Sequence, residues 1–123
     1  MDKILIIDDD QKNIFALTAV LRARGYTTVS ALSAEVGLDL LDTSSGIRIV
    51  LLDMMMPDID GYEMLSRIRK SEVHWNLPVI AVTAQAMAGD KEKCISAGAD
   101  EYVSKPVDID RLVGLLNKYL NPA

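Results

Sequence analysis

The sequence predicts an α/β fold, a doubly wound parallel sheet of five strands in which a helix follows each strand. Three observations predict it. Five short apolar runs alternate with five stretches of helical periodicity across 123 residues, the order expected when helices cover both faces of a parallel sheet. The runs are too short for helices and rich in Ile, Val and Leu, as strands buried on both sides are. Turn signals separate the elements, and no repeat, low-complexity tract or linker interrupts the series.

Lys3–Ile7 is a continuous β-branched-rich run, read as strand one. From Asn13 to Arg24, Ile14, Leu17, Val20 and Leu21 recur at helical spacing, and Gly25 supplies the stop. Tyr26–Ala31 alternates and is less apolar, which suits a strand near an edge. Ser33 is placed to cap a helix that turns Val36, Leu40 and Leu41 inward. After the Thr43–Gly46 loop, Arg48–Leu52 forms strand three. Met56–Gly61 breaks structure, and a helix follows with Tyr62, Leu65 and Ile68 along it and Arg67, Arg69 and Lys70 toward its end. Pro78 introduces strand four, Val79–Val82. A polar helix from about Asp90 to Ala97 stops at Gly98. Tyr102 and Val103 form a short strand five, and Asp108 caps a last amphipathic helix carrying Ile109, Leu112, Leu115, Leu116 and Tyr119.

Bulk properties narrow the function classes. The chain is 50% apolar and 25% charged, an ordinary globular balance that predicts one domain over 1–121 with a tail at 122–123. No apolar run is long enough for a membrane span, and no signal peptide is apparent. The net charge of -5 and the lack of a basic block argue against nucleic-acid binding by this chain. Cys94 is the only cysteine, which fits a reducing compartment, so a cytoplasmic location is expected.

In doubly wound sheets, ligands bind beyond the carboxyl ends of the strands. Strand one ends in Asp8-Asp9-Asp10, strand three in Asp53 and strand four in Thr83, while Ser104 and Lys105 follow strand five. Strand two ends in Ala31-Leu32, with nothing reactive. Carboxylates about 5 Å apart repel by roughly 3 kcal/mol at an effective dielectric near 20. A hard cation relieves that, and Mg²⁺ suits a few carboxylates, retained waters and a phosphate, with a loop carbonyl after Asp53 as a further ligand. A carboxylate beside the metal can attack phosphorus, and Thr83 and Lys105 are the hydroxyl and ammonium needed to hold phosphoryl oxygens.

These segments resemble the receiver domain of two-component response regulators. The matching pieces are Ile6–Asp10, Leu52–Pro57 with Asp60-Gly61, Val82-Thr83-Ala84, and Ala97–Asp100 leading into Tyr102–Pro106, so the likeness runs along nearly the whole chain. The resemblance implies a flavodoxin-like fold with strand order 2-1-3-4-5. It implies that Asp53 is the phosphoacceptor, and that Asp8, Asp9, Asp53 and the Met55 carbonyl hold Mg²⁺, for which Mn²⁺ could substitute. Thr83, Lys105 and the backbone of Met54 and Ala84 would bind the phosphoryl group. Thr83 and Tyr102 would switch together, and the Lys105–Pro106 bond would be cis. Met55 and Gln85 would flank the route of hydrolytic water. Partners would be a histidine kinase or histidine phosphotransfer protein and a downstream protein effector, the latter contacted through helix four, strand five and helix five. The switch would not be a conventional enzyme. Asp10 with Asn13, and Thr83–Met87, look like single-domain regulators or receivers of hybrid histidine kinases.

Plainer readings stand beside these. Asp10 either caps the first helix or joins the site. Asp58–Gly61 lacks the terminal carboxylates of a calcium loop. Met54–Met56 serve as packing. His74 is expected to be exposed, Trp75 to cover the core edge and Cys94 to be a small packing residue. An aspartyl-phosphate hydrolase of the haloacid-dehalogenase type is the competing enzyme, but Gln11-Lys12 does not fit its motif and Asp53 would have no role. A receiver-like binding module that never takes phosphate is the third reading.

Overall fold

The computed structural model describes residues 2–56, 60–84 and 89–120. Its order is β1 (Lys3–Ile7), α1 (Gln11–Ala23), β2 (Thr27–Ala31), α2 (Ala34–Thr43), β3 (Ile47–Asp53), α3 (Gly61–Lys70), β4 (Val79–Thr83), α4 (Asp90–Ser96), β5 (Glu101–Ser104) and α5 (Ile109–Leu120). All strand pairs are parallel, and the sheet order is β2-β1-β3-β4-β5. Strand one is therefore flanked by β2 and β3, and the edge predicted for strand two is found there. No described helix is long and apolar enough to cross a membrane.

Alternation along each strand divides the core in two. Ile4, Ile6, Ile49, Leu51, Ile80, Val82 and Val103 pack with Leu21 of α1 and with Leu112 and Leu116 of α5. On the other face Leu5, Ile7, Val50, Leu52 and Ala81 meet α2, α3 and Cys94 of α4. Cys94 is fully buried, as a packing residue would be. Ser33 caps α2 by accepting from the Val36 amide (3.2 Å).

Asp10 accepts from the Lys12 amide at 2.9 Å and caps α1, which decides the choice left open for it. Gly25, at φ 91°, ends α1, with its amide donating to Arg22 and that of Tyr26 to Leu21, the pairing of a left-handed helix stop.

Three expectations fail. Val36 is 47% exposed, because the buried face of α2 is formed by Ala34, Gly37 and Leu41 instead. Gly37 lies so close to Ile7 that a Cβ there would stand 2.6 Å from it, so α2 docks on its glycine rather than on Val36. Trp75 is 59% exposed and covers little. His74, expected in solvent, is half-buried, with Nε2 3.3 Å from Asp42.

The amino-terminal edge of the sheet is bound by Arg69 of α3. Its guanidinium donates to the carbonyls of Gly98 (2.9 Å), Trp75 (3.0 Å) and Leu77 (2.6 Å) and to the Asp100 carboxylate (2.8 Å). Asp100 also accepts from the Val79 amide at 2.9 Å. One planar fork thus joins α3 to the segments entering β4 and β5. Arg69→Met is expected to lower stability by about 2–3 kcal/mol through the lost carbonyl and carboxylate partners. Urea unfolding would show a lower midpoint at unchanged m value, and a loss well under about 1 kcal/mol would mean that water replaces the fork.

Candidate functional site

Sheet register builds the site. Ile7 pairs with Leu52, so Asp8 and Asp53 come next on adjacent central strands. Asp53 pairs with Val82 and Thr83 with Ser104, so Thr83 and then Lys105 each lie one step further along. The long Lys105 side chain reaches back across these steps. Its Nζ lies 3.2 Å from Asp8 Oδ2 and 3.5 Å from Asp53 Oδ2. The Lys105–Pro106 peptide is cis.

Asp8, Asp9 and Asp53 each offer a carboxylate oxygen, all within 4.8 Å of one another. Asp8 is 7% exposed and Asp53 5%, whereas Asp9 faces solvent. Asp8 Oδ1 accepts from the Asp10 amide, and Asp53 Oδ1 from the Met55 amide, both at 2.9 Å. The Met54 amide is directed elsewhere: it donates to the Val82 carbonyl at 2.9 Å, continuing the β3–β4 pairing. Of the two successive amides, it is Met55 that faces the carboxylate, a distinction sequence could not supply. Thr83 is buried at the end of β4, and Ala84 follows it. Gln85 lies outside the described residues.

Two cavities adjoin the cluster, one at Asp9 and the other at Asp8 and Asp53. A cavity of about 560 Å³ is lined by Asp9, Met55, Thr83, Asp90, Tyr62 and Lys93, and the Met55 side chain is 49% exposed beside it. Beneath α1 and α5 a second cavity of about 250 Å³ places apolar Leu17, Val20 and Ile109 around Asp8, Asp53 and Lys105. Such surroundings strengthen charge interactions and penalise unpaired charge. Burial pushes the Asp53 carboxyl above its ordinary pKa, helped by Asp8, and the Met55 amide and Lys105 only partly offset it. For Lys105 burial works downward, but the Asp53 and Asp8 charges prevail and hold its pKa above the usual value.

Three carboxylates against one ammonium leave two formal negative charges in this cluster. That excess, and a donor set made only of hard oxygens, fit a divalent cation. Octahedral Mg²⁺ at about 2.1 Å per bond needs donors no further than about 4.2 Å apart, within a small side-chain adjustment of what is present.

Two aromatic contacts escaped the sequence reading because no local spacing announces them. Tyr102 donates from its hydroxyl to Asp90 Oδ2 at 3.3 Å. Tyr62 lies 3.6 Å from Cys94 Sγ through its hydroxyl, with Lys93 Nζ 4.6 Å from its ring centre.

A doubly wound sheet that gathers hard oxygen donors and an ammonium at its carboxyl edge defines a phosphoryl-handling α/β domain. The chain belongs to the response regulator receiver domain family, whose model matches residues 4–117. It is 35% identical over 124 residues to hybrid signal transduction histidine kinase L of Dictyostelium discoideum, covering 97% of this chain but 7% of that protein. To the polar-differentiation response regulator DivK of Brucella ovis it is 32% identical over 122 residues, covering 98% of this chain and 97% of DivK. The receiver domain of a Francisella response regulator superposes with a TM-score of 0.88 at 30% identity, over 97% of this chain and 96% of that one. A Vibrio cholerae chemotaxis protein, 22% identical with a TM-score of 0.88 over 98% of this chain and 99% of that one, shares the fold. Receiver domains are phosphorylation-dependent signalling switches rather than conventional enzymes, and they bind Mg²⁺ at an acidic cluster of this kind.

The raised Asp53 pKa means that the folded chain holds this proton more tightly than the unfolded chain does. Its stabilising contribution is complete below the ordinary value of 3.8 and disappears as pH rises through the higher folded value. At neutral pH in chelator the ionised group is therefore destabilising. Asp53→Asn is expected to raise Tm there by about 3–5 °C, for roughly 1 kcal/mol, with less gain in Mg²⁺. An equal or lower Tm in chelator would refute this.

Proposed function

We propose that Asp53 is the phosphoacceptor of this receiver. The observation carrying the reading is a buried Asp53 beside Asp8 and Asp9 with the Lys105 ammonium 3.5 Å away. A phosphohistidine of a kinase or histidine phosphotransfer protein is the donor. The Asp53 carboxylate attacks phosphorus; the new O–P bond forms as the N–P bond breaks, and the departing imidazole is protonated from solvent. Asp8, Asp9, Asp53 and the Met55 carbonyl would hold Mg²⁺, which supplies charge stabilisation for the transferring group. Lys105, Thr83 and the amides of Met55 and Ala84 bind the phosphoryl oxygens.

Once the carboxylate is esterified, Lys105 exchanges carboxylate partners for phosphoryl oxygen, and Thr83 turns toward the same group. Moving a switch from 1:99 to 99:1 takes about 5.5 kcal/mol of differential interaction, within reach of these new charge-assisted bonds. The output passes through Tyr102 to the surface of α4, β5 and α5, where an effector protein docks. We take residues 1–121 as the single receiver unit, supported by the family match. We also place it in the cytoplasm, where phosphohistidine donors and a reduced Cys94 belong.

Asp53→Asn is expected to abolish labelling by acetyl phosphate or a donor kinase while circular dichroism stays native; persistent labelling would move the acceptor elsewhere. Hydrolysis of the acyl phosphate returns the carboxylate and inorganic phosphate, and the half-exposed Met55 side chain hinders the water that attacks phosphorus. Met55→Asn should shorten the phosphoryl half-life about threefold or more. An unchanged half-life would remove Met55 from this role.

A further inference from the structure

We propose that Asp90 is a positioning residue for the switch: by accepting from the Tyr102 hydroxyl it holds this ring in the conformation that goes with the unmodified Asp53 carboxylate. The inference rests on Asp53 being the phosphoacceptor.

Three observations carry it. The Tyr102 hydroxyl donates to Asp90 Oδ2 at 3.3 Å, which ties β5 to the first residue of α4. In the same conformation Lys105 pairs directly with Asp8 and Asp53, contacts it must give up to reach a phosphoryl oxygen on Asp53. Finally, Ala81 pairs with Tyr102 and Thr83 with Ser104, so Tyr102 and Thr83 lie diagonally on one sheet face, with the small Ala81 beside Tyr102 and Ser104 beside Thr83. Asp90 and Thr83 line the same cavity, and Tyr102 is absent from its lining.

Turning Thr83 toward a phosphoryl group opens room beside Ala81. A tyrosine ring moving into that room carries its hydroxyl away from α4 and gives up the Asp90 bond. Asp90 therefore opposes switching, and by linkage it lowers the affinity for anything that binds the switched form better. Elsewhere on this helix the Gly89 cap has no side-chain hydrogen bond, and Lys93 and Cys94 contact Tyr62.

The test uses beryllofluoride with Mg²⁺ as the phosphoryl probe and calorimetry as the readout, on wild type, Asp90→Ala, Asp90→Asn, Tyr102→Phe and the Asp90→Ala/Tyr102→Phe double variant. Asp90→Ala should bind beryllofluoride about three- to tenfold more tightly than wild type, as expected for losing one hydrogen bond to a charged group on the resting side. Asp90→Asn keeps an acceptor and should fall between the two, whereas a pure charge effect on α4 would make it equal to Asp90→Ala. In the Tyr102→Phe background, Asp90→Ala should change affinity little, since the hydroxyl it acts through is gone. Tyrosine ring NMR shifts of Tyr102 should move in probe-free Asp90→Ala toward their beryllofluoride-bound positions. Unchanged or weaker binding by Asp90→Ala, or a full effect persisting without the Tyr102 hydroxyl, would overturn the inference and leave the acceptor assignment intact. Absence of beryllofluoride binding by wild type would overturn the acceptor assignment, and this inference with it.

Discussion

The crowding of Asp8 and Asp53 at the carboxyl edge of the sheet is the constraint on which the rest of the molecule depends. Parallel pairing leaves no freedom here: with Ile7 opposite Leu52, the next residues of β1 and β3 must emerge side by side. Both are buried, and apolar side chains of α1 and α5 line the cavity below them. An isolated carboxylate would not persist ionised in such a place. Lys105 is the fold's own remedy, and it remains partial, since Asp53 still has a raised pKa with its ammonium present. The cluster is thus built to accept something that supplies positive charge or removes negative charge from the carboxylate.

The opposite edge of the sheet is the counterweight. Arg69 satisfies three carbonyls and a carboxylate in one plane, so the segments entering β4 and β5 are fixed to α3. Among the described residues no buried side-chain polar atom lacks a partner. The crowded charge thus lies at one edge of the sheet, while the Arg69 hydrogen bonding that secures the segments entering β4 and β5 lies at the other. This separation lets a functional cluster stay unfavourable without threatening the fold.

Strands, their parallel order and the ring of reactive residues at their ends were legible because they follow from periodicity and from a topological rule. Asp8, Asp9, Asp53, Thr83 and Lys105 each sit one or two steps past an apolar run, a one-dimensional signal. What escaped depends on the third dimension. Val36 has the right spacing to face inward, but α2 approaches the sheet on Gly37 and turns it outward. Trp75 is apolar in sequence and exposed in space, because the segment holding it is fixed through its carbonyl by Arg69 rather than through its ring. That the Met55 amide, and not that of Met54, meets the Asp53 carboxylate depends on where strand pairing stops. The Tyr102–Asp90 and Tyr62–Cys94 contacts join residues from different elements, beyond any local pattern.

The two halves of the core differ in kind. Against α1 and α5 the buried residues are Ile, Leu and Val alone. Against α2, α3 and α4 they include Met54, Met56 and Met64, together with Ala31, Ala34, Ala81, Ala99 and Cys94. Methionine adapts its shape at small energetic cost, and alanines leave room for neighbours to move. On that second face stands α4, seven residues long and begun by a left-handed glycine with no side-chain cap. A short helix on a layer rich in methionine and alanine is an element that a small rearrangement can displace. In the proposed switch a change at Asp53 and Thr83 passes by Ala81 to Tyr102 and α4, and Ala81, Tyr102 and Cys94 of α4 share this second face.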